Sequence, residues 1–386
     1  MMIKRDITPE LLQSAKEYPI VTIIGPRQSG KTTLARMTFP NYVYCSLEDP
    51  DIRQFASDDP RSFLSRYPER VIFDEIQRVP ELLSYLQGIV DSNSAKGQFI
   101  LTGSHQLTLR AEIAQSLAGR TALLTLLPLS ISEALNVTQF RSKDELLYQG
   151  LFPRVYNDGL NPSRAYASYY KTYVERDVRQ LVNLKNVSLF EKFLKLLAGR
   201  VGQVINFNSL SNDVGVSGTT LKEWLSVLEA SFIIFKLEPY FENFGKRVIK
   251  SPKIYFTDTG LLAYLLDIES EQTMSRDPLI GNVFENLVIL DLLKFRLNRG
   301  LSPNLYFYRD SNGLEVDVLL KQGATLTPIE IKSSATFNKV FAKGLKRFQA
   351  LTDLSGKGYI IYSGDFAVGT EDYDLLNYLN TAEVFK

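Results

Sequence analysis

The segment Gly25, Pro26, Arg27, Gln28, Ser29, Gly30, Lys31, Thr32 constrains this chain more than any other. It fits G-x-x-x-x-G-K-[ST] at every position, follows the apolar run Ile20 to Ile24 and precedes the helical pattern TTLARMTF. A strand, a glycine-rich turn and a helix in that order predict a phosphate-binding loop. The glycines let successive backbone N–H groups curl around phosphate oxygens, and the helix start adds the positive end of its dipole. Lys31 is placed to reach the β and γ oxygens, Thr32 offers a hydroxyl to Mg²⁺, and Thr33 continues the cradle. The expected ligands are ATP or ADP with Mg²⁺.

A second element supplies acid. RVIFDEIQ ends an apolar strand in Asp74 and Glu75, the pattern of a Walker B strand. Asp74 is expected on the Mg²⁺ shell, and Glu75 is expected to polarise an attacking water. The next apolar strand, QFILTGSHQL, closes with Thr102, Ser104 and the only histidine, His105. Thr102 and Ser104 suit a γ-phosphate sensor, whereas His105 is given no catalytic role. Arg120, just before the run TALLTLLPL, is a candidate arginine finger toward a neighbouring subunit, with Arg110 as its competitor. A finger acting between subunits implies a homo-oligomer.

From Ile20 to about Leu129, short β-branched runs alternate with helical patterns, which predicts a parallel sheet with helices on its faces. At 386 residues the chain exceeds one core. Four regions are expected: a phosphate-loop domain over 1–135, a helical connector or lid over 136–200, a winged-helix order over 201–269 and a further α/β domain over 270–386. The content of 45% hydrophobic and 23% charged residues suits globular cores. Lys plus Arg number 44 against 43 for Asp plus Glu, so nucleic acid has to be met by local patches. Cys45 is the sole cysteine, which excludes an intrachain disulfide and fits a reducing compartment, the cytoplasm. The N-terminus lacks a small-residue cleavage site, and no apolar run approaches the ~20 residues of a membrane helix.

Toward the C-terminus, Asp317 stands in LEVDVLL, and Glu330 and Lys332 stand in PIEIKSS. Strand residues two apart share a face, so Glu330 and Lys332 project together, and a hairpin would add Asp317. This is the D…E-x-K pattern of PD-(D/E)xK nucleases, in which Asp317 and Glu330 would hold Mg²⁺ and Lys332 would steady the developing charge. Glu285, in NVFENLV, is similar to the helix acid of many such enzymes. The bland alternative is a solvated sheet face. Lys246, Arg247, Lys250 and Lys253, interleaved with aromatics, suggest a basic wing along a DNA backbone. Lys171, Arg176 and Arg179 add to it, while Lys222 gives the second helix only a weak reading surface.

GPRQSGKTTL, VIFDEIQ, ILTGS and GRTALLTLLPLSISE resemble the prokaryotic AAA-family ATPases with a C-terminal DUF4143 domain. YYKTYVERDV, YFTDTGLLAYLL, GNVFENLV and EVDVLL with PIEIKSS extend the resemblance over nearly the whole chain. It implies an AAA+ core, a winged-helix middle and a restriction-endonuclease-like end. Three functions stay open: a DNA-coupled ATPase, an ATP-gated nuclease, and an ATP-switched assembly module of the STAND type.

Overall fold

The apolar β-branched runs form the first sheet. In the computed structural model, which describes residues 3–68, 70–93, 95–104, 113, 116–178, 187–241 and 249–386, five strands pair in parallel. They are β1 (Ile20–Ile24), β2 (Val43–Ser46), β3 (Val71–Asp74), β4 (Phe99–Gly103) and β5 (Thr121–Thr125), in the order β2-β3-β4-β1-β5. β1, β3 and β4 are buried throughout, as continuous apolar strands covered on both faces must be. The helix Lys31–Thr38 lays Leu34 and Ala35 against Val21, Ile23, Ile72 and Ile100. Since β4 and β5 flank β1, the chain order reverses at β1, and the crevice beyond its carboxyl end is where such sheets take ligands.

The second sheet is mixed. It contains β6 (Ile234–Pro239), β7 (Lys253–Phe256), β8 (Leu305–Arg309), β9 (Glu315–Gln322), β10 (Thr325–Lys332), β11 (Gly358–Tyr362), β12 (Val368–Gly369) and β13 (Tyr373–Asn377). Their order is β12-β13-β11-β10-β9-β8-β6-β7. β6 follows the helices Phe207–Val214 and Gly218–Ala230, the second of which Ser217 caps through the Thr220 N–H at 3.1 Å. β6 also pairs with β8, joining Glu238 to Tyr306 and Pro239 to Phe307. One sheet therefore runs across residue 269, where the sequence suggests a boundary. An open edge on β6 beside buried Ile234 and Leu237 is best satisfied by another strand.

The helix Ile280–Leu297 ties the two halves together. It is apolar nearly all round and correspondingly buried from Val283 to Lys294, apart from Glu285. Asn286 brackets Phe256 of β7, accepting from its N–H at 2.7 Å and donating to its carbonyl at 2.8 Å. One turn on, Asp291 accepts from the Ile131 N–H at 2.8 Å and from the Thr381 hydroxyl. Lys294 donates to the Leu129 carbonyl at 2.7 Å. The segment leaving β5 is thus held by polar bonds inside an otherwise apolar cluster. Among the described residues, no helix is long and apolar enough to cross a membrane.

Lys294 makes this link sensitive to pH. Burial lowers its ammonium from 10.5 to about 8, against the opposing charges of Asp291, Asp258 and Glu133 and with the added repulsion of Arg5. Between about 8 and 10.5 the unfolded chain holds a proton that the folded chain lacks, so stability should rise with pH through that window. Lys294→Met should flatten that rise. Melting curves of the two proteins between pH 7 and 10.5 provide the check, and parallel curves would remove Lys294 as the cause.

Candidate functional site

Backbone geometry shapes the phosphate loop. Gly25 leaves β1 at φ 157°, where a Cβ would collide with the Leu126 carbonyl oxygen. Gly30 takes a left-handed φ of 94° immediately before the helix. Lys31 is buried and donates to the carbonyls of Gly25 at 3.0 Å and Pro26 at 2.8 Å. Burial lowers its pKa, opposed by the charges of Glu75 and Asp74. Arg27 lies over the Tyr173 ring at 5.7 Å, while Gln28 adopts a positive φ of 63°. Gly30 and Thr33 line a cavity of about 210 Å³ with Ile3, Pro153 and Asn157.

Arg5 supports the loop from below and was missed by sequence reasoning. Its guanidinium donates to the carbonyls of Ser29 at 2.7 Å and Leu127 at 2.8 Å, and its Nε lies 3.0 Å from Glu133 Oε2. Glu133 is fully buried and closes a capping box with Ser130. The same short segment, 126–133, therefore touches Gly25, Arg5 and the helix Ile280–Leu297.

The two acids converge as their motif predicts. Thr32 donates to Asp74 Oδ1 at 2.8 Å, Thr102 donates to the same oxygen, and Tyr44 donates to Oδ2 at 2.9 Å. Glu75 adopts φ 59° and ψ 48°, a left-handed pose that costs a non-glycine residue ~1–3 kcal/mol. Its N–H donates to Thr102 Oγ1 at 3.2 Å. Ser104 donates to Glu75 Oε2 at 2.9 Å, and Gln77 donates to that oxygen and to Ser104 Oγ at 3.1 Å. Burial raises the Glu75 pKa, but the Lys31 charge and the bonds from Gln77 and Ser104 outweigh it, leaving the carboxyl below its ordinary value.

Arg120 stands elsewhere. It precedes β5 at the end aligned with Ile20, so it lies at the opposite end of the sheet from Gly25. Its guanidinium grips Asp91 through two bonds of 2.6 and 2.8 Å. In this position it does not reach the phosphate loop of its own chain. His105, Arg110, Arg179, Lys246 and Arg247 lie outside the described residues, as does the Arg176 side chain.

The C-terminal constellation also assembles. β9 and β10 form the expected hairpin, and Asp317 Oδ2 accepts from the Ile331 N–H at 2.8 Å and from Lys332 Nζ at 3.0 Å. Lys332 also donates to Glu330 Oε2 at 2.7 Å. Lys253 forms a second centre, 3.3 Å from Glu285 Oε1 and 2.7 Å from Glu315 Oε1, while Tyr255 donates to Glu285. This corrects the basic-wing expectation for Lys253, whose side chain is only 3% exposed because it is drawn into the acids. Burial and the Asp317 charge push Glu330 up to about 8. Asp317 goes down, since Lys332 and Lys253 outweigh its burial. The pair thus prefers to keep its proton on Glu330.

The two sites differ in how they suit a metal. Around the phosphate loop, the Thr32 hydroxyl lies against the Asp74 carboxylate, Ser29 Oγ is buried without a hydrogen-bond partner among the described residues, and Gly25 leaves no room for a side chain. Those groups fit a magnesium nucleotide. In the C-terminal cluster Lys332 stands between Asp317 and Glu330, and the described residues present no group of three or more acids, histidines or cysteines arranged around a metal. There Lys332 neutralises the two carboxylates to which the sequence assigns Mg²⁺.

Residues 17–135 match the AAA domain family, 140–272 a domain of unknown function (DUF8612) and 280–381 a domain of unknown function (DUF4143). The uncharacterized protein Rv2008c of Mycobacterium tuberculosis is 31% identical over 369 residues, covering 94% of this chain and 80% of that protein. The uncharacterized protein MJ1544 of Methanocaldococcus jannaschii is 24% identical, covering 83% and 75%. The solved Walker-type ATPase of Pyrococcus abyssi overlaps 68% of this chain and 96% of its own length at 16% identity with a TM-score of 0.47, too slight a likeness to carry weight. The phosphate loop, the acid pair and the matched domains at both ends place this chain in the family of AAA-domain ATPases that end in a DUF4143 domain.

Proposed function

We propose that the chain hydrolyses ATP with Mg²⁺ and uses the change of nucleotide to move its C-terminal half against DNA. The observation that carries the first part is the convergence of Thr32, Asp74, Glu75 and Ser104 at the carboxyl ends of the central parallel strands. Lys31 would bind the β and γ oxygens, Thr32 and Asp74 would hold Mg²⁺, and Glu75 would take a proton from the attacking water. The backbone N–H groups of Gly25 to Thr33 would cradle the phosphates. Mg²⁺ would supply charge stabilisation at the leaving phosphate.

Transmission follows from the segment 126–133, which contacts the phosphate loop on one side and the helix Ile280–Leu297 on the other. A loop that opens or closes around phosphate would bias that packed connection. Exposed Lys250 offers a local positive charge to a phosphate backbone, and this supports DNA as the partner. Arg120 would complete a neighbouring subunit's site in a homo-oligomer. The region boundaries proposed are 1–135, 136–200, 201–269 and 270–386, with a winged-helix third region and a nuclease-like fourth.

The test is ATP hydrolysis by purified protein with and without single-stranded, duplex and branched DNA at low and moderate salt. Stimulation of about tenfold that weakens as salt rises is the expected result. Mg²⁺-dependent fragments on a gel would promote the nuclease reading. Intact DNA and an unchanged rate would overturn the DNA coupling and favour an ATP-switched assembly module.

A further inference from the structure

Gln77 follows Glu75 by two residues on the 3-10 turn Ile76–Arg78, which folds its side chain back into the site. Its amide nitrogen donates to both Glu75 Oε2 and Ser104 Oγ. That orientation is chemically forced, because the amide oxygen turned toward the carboxylate would place acceptor against acceptor. The consequence lies at the other end of the amide. Gln77 Oε1 is buried and has no hydrogen-bond partner among the described residues. A buried amide oxygen left without a donor is destabilising, which points to a partner that arrives with the substrate.

We propose that Gln77 is a positioning residue for hydrolysis, its Oε1 accepting one proton of the attacking water while Glu75 accepts the other. The inference rests on the ATPase reading above. A water has two protons, and one acceptor fixes it only to a cone of orientations. Two acceptors aim a lone pair, and Glu75 and Gln77 are joined by a hydrogen bond that sets the spacing between them. In the step itself the water oxygen bonds to the γ phosphorus, and the bond from that phosphorus to the bridging oxygen breaks with its electrons left on ADP. One proton passes to Glu75, and the other stays on the phosphate product, having served only to orient the water through Gln77. Ser104 holds the assembly by donating to Glu75 and accepting from Gln77.

The distinguishing substitution is Gln77→Met, which keeps length and packing and removes both polar groups. Gln77→Ala removes the packing as well, and Gln77→Glu retains an oxygen acceptor but puts a second acid beside Glu75. Steady-state hydrolysis and equilibrium binding of a fluorescent ATP analogue are measured for each protein alongside the wild type. Gln77→Met and Gln77→Ala should both lower kcat by roughly 10–100-fold, with KM and analogue affinity within about twofold of wild type. Gln77→Glu should not recover the rate. If Gln77→Met keeps the wild-type kcat, or if the loss falls on KM and binding, Gln77 is a packing residue and the inference is overturned while the ATPase reading stands. If the wild type itself binds the analogue without hydrolysing ATP, both fall together.

Discussion

Glu75→Gln is expected to leave ATP bound and to lower kcat by roughly 10²–10⁴-fold, the range over which a general base contributes. The substitution preserves the shape of the side chain and its bond from Ser104, so the site should remain assembled. What disappears is the capacity to take a proton. Although burial works against ionisation, the Lys31 charge and the bonds from Gln77 and Ser104 hold this carboxyl below its ordinary range, so it is the basic form that faces the phosphate loop at neutral pH. Lys31→Ala supplies the contrast. Lys31 would contact phosphate in the bound state as well as in the transition state, so its loss should appear first as lost affinity. Titration calorimetry with ATP and a phosphate-release assay separate the two cases. Turnover by Glu75→Gln within a few-fold of wild type would dismiss Glu75 as the base, and unimpaired binding by Lys31→Ala would dismiss the phosphate-loop assignment.

Much of this architecture could be read from the chain because its signals are local. Ile20 to Ile24 and Val71 to Phe73 are apolar on both faces, a pattern that only a doubly covered strand makes sense of. Asp49 and Asp59, each followed by proline, cap the helices Pro50–Asp58 and Pro60–Ser65 through the N–H groups of Asp51 and Ser62. The spacing of Glu330 and Lys332 gave their common face without any tertiary knowledge. The same rule applied to β9 groups Glu315 with Asp317.

The rest was set by contacts distant in sequence. Nothing around Arg5 signals that it will support Ser29 and Leu127, since a lone arginine in an N-terminal segment is ordinarily solvated. The parallel pairing of β6 with β8 joins residues more than sixty positions apart, and no turn chemistry announces such a contact. Gln77 lay two residues from a recognised acid, yet two-residue spacing brings a side chain back only on a tight turn, and the 3-10 geometry there depends on the left-handed pose of Glu75. Lys253 was the most misleading case. Its neighbours in sequence are basic and aromatic, whereas its neighbours in space are carboxylates.

Lys253→Met should therefore destabilise the C-terminal half by roughly 3–5 kcal/mol, as expected when one partner of a buried ion pair is removed. Burial alone would lower the Lys253 pKa, and the combined charge of Glu285, Asp317 and Glu315 instead raises it, so the ammonium is held by more than one acid. Without it, Glu285 would stand half-buried beside Asp317, with the Tyr255 hydroxyl as a donor. The strain would reach the sheet, because Lys253 begins β7 and pairs with Leu237 of β6. Urea unfolding followed by circular dichroism should show an earlier transition, and adding Glu285→Gln should recover part of the loss by removing one unpaired charge. A cost below about 1 kcal/mol would mean that the network is solvated and dispensable. Repeating the measurement with Mg²⁺ separates two meanings of the cluster. If millimolar Mg²⁺ restores Lys253→Met, the carboxylates accept a cation in place of the lysine and the site is competent for metal chemistry once that lysine withdraws. If Mg²⁺ does nothing, the lysines are integral to the fold, and the C-terminal domain holds its acids together to join β6 and β7 to the rest of the sheet.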